Sequence, residues 1–172
     1  GLTLVAVGLI ETEYYLGALI VFVIAAVTDW FDGYLARLLN QTSVVGRQLD
    51  PLIDKVMVAA LYVELLTRPN TGIAAWMVIV IICRELLIQG LRSLLEGQGQ
   101  AFGAKFAGKV KTFVQCLSIG FCLFCLSFDP PRAWIVARDV LTWSAVVLTI
   151  YSGAGYVAAG MRMIKPAASS ST

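Results

Sequence analysis

Five stretches of roughly twenty mainly apolar residues follow one another along this chain, at about 15–38, 50–67, 73–95, 106–127 and 133–161. A helix needs about 20 such residues to cross the hydrocarbon core of a bilayer. The breaks between the stretches carry turn-forming residues: Asn40–Gly46, Arg68-Pro69-Asn70, Gly97–Gly103 and Asp129-Pro130-Pro131. Composition points the same way. Of 172 residues, 59% are hydrophobic and 14% charged, against about 45–50% and 25% in soluble domains. The 13 basic and 11 acidic side chains are too few to solvate a globule of this size. The expected fold is all-α, a polytopic transmembrane helix bundle.

No linker or repeat divides the chain, so a single membrane-embedded domain over 1–166 is expected. The tail at 167–172 is small and polar and is expected to be disordered. Residues 1–10 are apolar but too short to span, and lack the charged flank and cleavage site of a signal peptide. They are expected to be the end of a first transmembrane helix truncated at Gly1.

Basic residues orient the bundle. If the breaks at 40–46 and 97–103 share a side with the C-terminus, that side collects ten cations: Arg37, Arg47, Lys55, Arg84, Arg92, Lys105, Lys109, Lys111, Arg162 and Lys165. The opposite side holds three, Arg68, Arg132 and Arg138. The positive-inside rule places the first group in the cytoplasm. Trp76, Trp134, Trp143, Tyr14 and Tyr15 then fall toward the other face, as an interfacial aromatic belt.

The chain has no histidine. Histidine metal ligands, His general bases, Ser–His and Cys–His catalysis and histidine phosphotransfer are therefore excluded. Carboxylates remain, and four of the six aspartates fall in the 26 residues from Asp29 to Asp54. Asp29 and Asp32, at i and i+3, share a helical face with Gly33, Ala36 and Arg37. Asp50 and Asp54, at i and i+4, share a face near the start of the next helix. Pro51 is expected in that helix's first turn, which needs no amide donor. A seven-residue loop lets the two acidic faces meet antiparallel at one depth.

Four carboxylates converging in a low-dielectric setting repel strongly unless protonated or neutralised by cations. Hard oxygen donors without His or Cys suit Mg²⁺ or Mn²⁺, and four can hold a pair of ions. Paired ions clamp the attacking and leaving oxygens of a phosphoryl displacement. The plainer reading makes each Asp a helix cap or the partner of a nearby cation such as Arg37 or Lys55. Four acids in register on adjacent apolar helices favour the functional reading, because intramembrane acids are costly.

The string Asp29-x2-Asp32-Gly33-x2-Ala36-Arg37-x8-Gly46-x3-Asp50-x3-Asp54 resembles the signature of the CDP-alcohol phosphotransferase family, with all eight fixed positions matched. The resemblance implies a six-helix fold. It also implies cleavage of the pyrophosphate of a CDP-linked lipid, release of CMP, and joining of the phosphatidyl unit to an alcohol. On this resemblance Asp29, Asp32 and Asp50 bind metal, and Asp54 is the general base, itself close to a metal. Asp32, Gly33, Ala36 and Arg37 lie at the CDP moiety. Small residues one turn from the acids let a nucleotide approach the backbone, and Arg37 can fork onto a phosphate. Members of this kind usually carry Asn-x2-Thr-x2-Arg before or within the first helix, a pattern that residues 1–13 lack.

Later cations bear on the acceptor. Arg84 and Arg92 share a face at i and i+8, and Lys105, Lys109 and Lys111 open the next apolar run. Arg84 lies inside an apolar stretch, where a charge needs a partner or a cavity. Its plain reading is a structural pair with Glu85, and that of Arg92 and Lys105 is snorkelling at a helix end. The stretches from Arg84 to Arg92, from Gly108 to Gln115 and from Asp50 to Met57 resemble those of the bacterial phosphatidylglycerophosphate synthase branch of the family. That resemblance implies CDP-diacylglycerol as donor and glycerol 3-phosphate as acceptor, and Arg84, Arg92, Lys109 and Lys111 are the cations expected to hold its phosphate. It also implies a homodimer in a bacterial cytoplasmic membrane, its site facing the cytoplasm. No nucleic-acid partner is expected.

Inositol phosphate, phosphatidylglycerol or serine are the alternative acceptors. An Asp-rich membrane prenyltransferase is a rival, but such enzymes are much longer and place their Asp pairs far apart in sequence. A divalent-cation transporter accounts for the acids but not for Gly33, Ala36, Arg37 and the later cations. Cys122-x2-Cys125 has redox spacing, yet it lies in an apolar run and reads as core packing, as do Cys83 and Cys116. Gly153, Gly155 and Gly160 read as sites of close helix packing, a dimer contact among the options.

Overall fold

The computed structural model describes the backbone of residues 2–39, 44–97 and 106–168, and side chains at 2–28, 31, 55–95, 108 and 110–158. Within these residues the chain is entirely helical. The order is α1 (Leu2–Glu11), α2 (Tyr15–Leu39), α3 (Val44–Leu66), α4 (Ala75–Gly97), α5 (Phe106–Phe128) and α6 (Arg132–Ala168). Two described segments, Val110–Phe128 and Arg132–Ala158, are long and apolar enough to cross a membrane.

Burial is inverted relative to a soluble protein. Glu85, Lys111, Gln115, Ser118, Arg138, Thr142, Thr149 and Ser152 are buried, while Leu4, Ile20, Ile79, Phe113, Val140 and Val147 are more than half exposed. A surface this apolar would aggregate in water, and it fits lipid contact. The fold is a helical membrane bundle.

One core joins all six helices, including Ile10 of α1, Phe22 of α2, Tyr62 of α3, Ile81 of α4, Leu123 of α5 and Val146 of α6. A second cluster, Ile88, Leu95 and Tyr156, joins α4 to α6. Between these clusters the helix contacts turn polar.

The connections are tight. α1 closes on a left-handed Glu13 (φ 59), with Glu13 N–H donating to Ile10 O at 3.0 Å and Tyr14 N–H to Leu9 O at 2.9 Å. This Schellman arrangement satisfies the last carbonyls of α1, and α2 starts two residues after Glu13. The α3–α4 turn uses left-handed Asn70 and Gly72. Arg138 of α6 holds it by donating to the Asn70 carbonyl. A Cβ at Gly72 would meet Asp139 Oδ1 at 2.5 Å, so no other residue fits without a shift.

Two helix bounds differ from the apolar runs. α3 begins at Val44, before its apolar run, so Gly46 and Arg47 are helical. Pro51 is consequently the eighth residue of α3 rather than a first-turn residue. There a proline removes an interior backbone hydrogen bond. Hydropathy marks where a helix enters lipid, not where it begins. α6 likewise runs 37 residues, to Ala168, about 55 Å at 1.5 Å per residue. That exceeds the hydrocarbon core of about 30 Å. Helix α6 therefore includes 167–168, and 169–172 lie outside the described residues.

All four cysteines are free thiols. Cys122 and Cys125 are buried and touch backbone carbonyls, Thr71 O at 3.6 Å and Trp134 O at 3.8 Å. Trp76 and Trp143 meet with ring centroids 5.5 Å apart, and both are about half exposed.

Candidate active site

Asp29, Asp32, Gly33, Ala36 and Arg37 lie on the second half of α2, and Asp50 and Asp54 on the first half of α3. Their helical spacing puts each set on one helix face. Contacts of these side chains, and of Lys109 on α5, lie outside the described residues, as does Lys105 entirely.

Lys55, one residue beyond Asp54, donates to Gln89 Oε1 of α4. From there a polar seam leads into the bundle. Glu85 of α4, 6% exposed, lies at its centre. It accepts from Arg84 Nη1 at 3.1 Å and from Lys111 Nζ of α5. Neighbouring residues on a helix project about 100° apart. Arg84 accordingly extends toward α6, where its Nη2 donates to Ser152 Oγ at 2.9 Å. Its guanidinium carbon sits 5.5 Å from the centroid of the Tyr156 ring, within cation–π range. A Cβ at Gly153 would come within 3.0 Å of Arg84 Cγ. That glycine's role in the described fold is thus to seat Arg84 on α6.

The seam continues through Gln115, whose Nε2 donates to Thr149 Oγ1 at 3.2 Å and whose carbonyl accepts from Tyr62 OH at 3.3 Å. Farther along, the Ser118 and Thr142 hydroxyls are 2.9 Å apart. Lys55, Glu85, Lys111, Thr112 and Gln115 wall a cavity of about 180 Å³ whose remaining lining is apolar. Two cations and one acid on its wall leave it electropositive. In a low-dielectric interior, such a surplus attracts an anion strongly.

Of the cations expected at an acceptor phosphate, the structure brings Arg84 and Lys111 together through Glu85. Arg92, partly buried, is two turns farther along α4, about 12 Å of helix rise from Arg84. Glu85 is the plain partner of Arg84 that sequence allows, but it also reaches Lys111 and the cavity. Sequence reasoning missed this link, together with Ser152 and Tyr156, and named Lys55 and Gln115 without placing them at a site. An acid and a cation adjacent inside an apolar run were its only visible signal.

Residues 2–151 match the family model for CDP-alcohol phosphatidyltransferase. The chain is 39% identical over 152 residues to the CDP-diacylglycerol–glycerol-3-phosphate 3-phosphatidyltransferase of Bacillus subtilis (strain 168), covering 88% of this chain and 77% of that protein. It is 35% identical over 145 residues to the Escherichia coli (strain K12) protein of the same name, covering 83% and 77%. Against the Salmonella choleraesuis protein of that name it is 35% identical over 143 residues, covering 81% and 76%. With a family match across most of its length and the aspartate signature on α2 and α3, the chain belongs to the CDP-alcohol phosphatidyltransferase family.

Proposed function

We propose that this protein transfers the phosphatidyl group of CDP-diacylglycerol to sn-glycerol 3-phosphate, giving phosphatidylglycerophosphate and CMP, at a cytoplasm-facing site of a multi-pass bacterial membrane protein. The observation that carries the choice of acceptor is the Arg84–Glu85–Lys111 cluster beside its cavity, reached along α3 one residue after Asp54. An anionic acceptor suits this surplus of positive charge better than a neutral alcohol does. The relatives' names carry the same substrates.

The aspartate set, all hard oxygen donors on two consecutive helices, fits Mg²⁺ or Mn²⁺ as a pair, held by Asp29, Asp32, Asp50 and Asp54. Such ions, when bound, neutralise phosphate charge and stabilise the leaving CMP. Gly33 and Ala36 let the cytidine nucleotide lie against α2, and Asp32 and Arg37 contact it. Arg84 and Lys111, with Arg92 and Lys109 nearer the cytoplasm, hold the acceptor phosphate. Asp54 takes the proton of the acceptor's primary hydroxyl as that oxygen bonds to the lipid-linked phosphorus. The bond from this phosphorus to the bridging oxygen breaks, and its electron pair leaves with CMP.

The test is CMP release by the purified protein with CDP-diacylglycerol, Mg²⁺ and a panel of acceptors. Glycerol 3-phosphate is expected to be preferred over inositol phosphate, serine and phosphatidylglycerol. Asp54→Asn is expected to lower kcat by about a thousandfold. Release unaffected by Asp54→Asn, or a better acceptor elsewhere in the panel, would sink this reading.

A further inference from the structure

Among the described side chains near the acceptor site, one has the wrong sign for binding a phosphate. Glu85 carries a negative charge into a cavity whose proposed ligand is an anion. It is not a surface ornament, because side-chain exposure is 10% for Arg84, 8% for Glu85 and 3% for Lys111. A buried carboxylate is costly unless it performs a task that outweighs its desolvation.

Geometry identifies the task. Arg84 and Lys111 come from different helices, and their like charges repel across the space where they must converge. Arg84 is held from behind by Ser152 and Tyr156 of α6, with its stem on Gly153. In front, Glu85 gives Arg84 Nη1 and Lys111 Nζ a common acceptor. Even so, Arg84 Nε remains buried without a hydrogen-bond partner among the described residues. The cluster is thus under-supplied with acceptors by one carboxylate's worth of charge, while its cations are fixed in place.

We propose that Glu85 is the positioning residue of the acceptor site: it holds Arg84 and Lys111 at a set separation, preorganised for a phosphate monoester that completes their coordination. The proposal rests on the reading that these cations bind glycerol 3-phosphate. It goes beyond that reading in assigning the acid to aiming them. Two effects of opposite sign compete when the charge is removed. Electrostatics alone would make Glu85→Gln bind an anionic acceptor more tightly, since the pocket gains net positive charge. Loss of preorganisation would weaken binding, because the ligand itself must then order two long, mutually repelling side chains. Positioning dominates, so the affinity falls.

The experiment measures initial rates of CMP release by the full chain in detergent–lipid micelles, varying each substrate separately. Glu85→Gln is expected to raise KM for glycerol 3-phosphate by about tenfold, the scale of ordering two rotamer-rich side chains on binding. KM for CDP-diacylglycerol and kcat at saturating acceptor should stay within about twofold, and Glu85→Asp should recover part of the lost affinity. An unchanged or lowered KM for glycerol 3-phosphate in Glu85→Gln overturns the proposal. A double-mutant cycle of Glu85→Asp with Lys111→Met covers the case in which Glu85→Gln does not fold, because every corner keeps a carboxylate beside Arg84. In the Lys111→Met background, Glu85→Asp should raise KM for glycerol 3-phosphate less than it does with Lys111 present. An equal or larger effect overturns the proposal. Failure of the underlying reading looks different: Arg84→Ala and Lys111→Ala would then also leave KM for glycerol 3-phosphate unchanged.

Discussion

Two arginines among the described residues have side chains at most 10% exposed and an acid directly after them, and the molecule uses them differently. Arg138–Asp139 near the start of α6 is a closed pair: Arg138 Nε and Nη2 donate to Asp139 Oδ1 at 2.9 and 2.6 Å. The remaining Nη1 reaches the Asn70 carbonyl. Gly72 fills the space beside it so tightly that a Cβ would collide. Charge is balanced, and on the Gly72 side no room is left. Arg84–Glu85 on α4 has the same dipeptide order, but its acid is shared with Lys111 and opens on a cavity of about 180 Å³. A buried Arg–acid neighbour pair is a brace when every donor is used and the charges cancel. It is a site when one cation is in surplus and the space is open.

Truncating each arginine separates these roles with the largest expected effect. Arg84→Ala should lower kcat/KM for glycerol 3-phosphate by about a hundredfold, the usual scale for removing a buried charged contact to ligand. Arg138→Ala should leave KM for that substrate within about twofold. It should instead lower the midpoint of thermal inactivation, reflecting about 1–3 kcal/mol for a lost buried hydrogen-bond set. Asp139 tempers the loss, since its side chain is 44% exposed and can be solvated. A large KM effect from Arg138→Ala, or none from Arg84→Ala, would erase the distinction.

The flanking glycines sharpen the comparison at smaller scale. Gly153→Ala places a methyl 3.0 Å from Arg84 Cγ. The shift that follows should raise KM for glycerol 3-phosphate several-fold, with overpacking costing about 1–3 kcal/mol. Gly72→Ala sets a side chain at φ +70 and against Asp139. It should cost about 1–3 kcal/mol of stability and leave the kinetics alone. Measuring both the inactivation midpoint and KM for the two variants tests whether site and brace are independent.

How much of this was legible beforehand depended on distance along the chain. The bilayer's demand for long apolar runs made the helices readable, and the aspartate spacing marked α2 and α3 as the pair that carries the family signature. Helix ends were less so. Val44–Gly46 looked like part of a turn because it follows the polar run at 40–43 and ends in glycine, yet the helix had already started outside the apolar run. The Glu85–Lys111 link was flagged only by an acid next to a cation inside an apolar run, with nothing to name Lys111 as its partner. Its partners are 26 residues apart on different helices, and their meeting depends on the rotation of α4 and α5 about their axes. That rotation is set by many weak contacts within the shared core, which holds Tyr62 of α3, Ile81 of α4 and Ile119 and Leu123 of α5, and which no local pattern encodes. Gly153 was read as close packing, and the structure supplies the particular neighbour, Arg84.

The smallest expected effect concerns a glycine only two residues from Gly153. An added Cβ at Gly155 meets nothing within 4 Å, although it shares α6 with Gly153 and the same helical-glycine penalty. Alanine is favoured over glycine in a helix interior by about 0.8–1 kcal/mol. With open space in place of Arg84, that preference should be realised, so Gly155→Ala should raise the inactivation midpoint slightly and leave KM unchanged. The measurement also tests the expectation that these glycines serve a dimer contact. If a second copy packed its helix against Gly155, the methyl would separate the two chains. Gly155→Ala would then lose stability and shift the detergent-solubilised protein to a smaller species in light scattering. A gain in stability with no change in size instead assigns the close-packing glycine of α6 to Gly153 and the acceptor site.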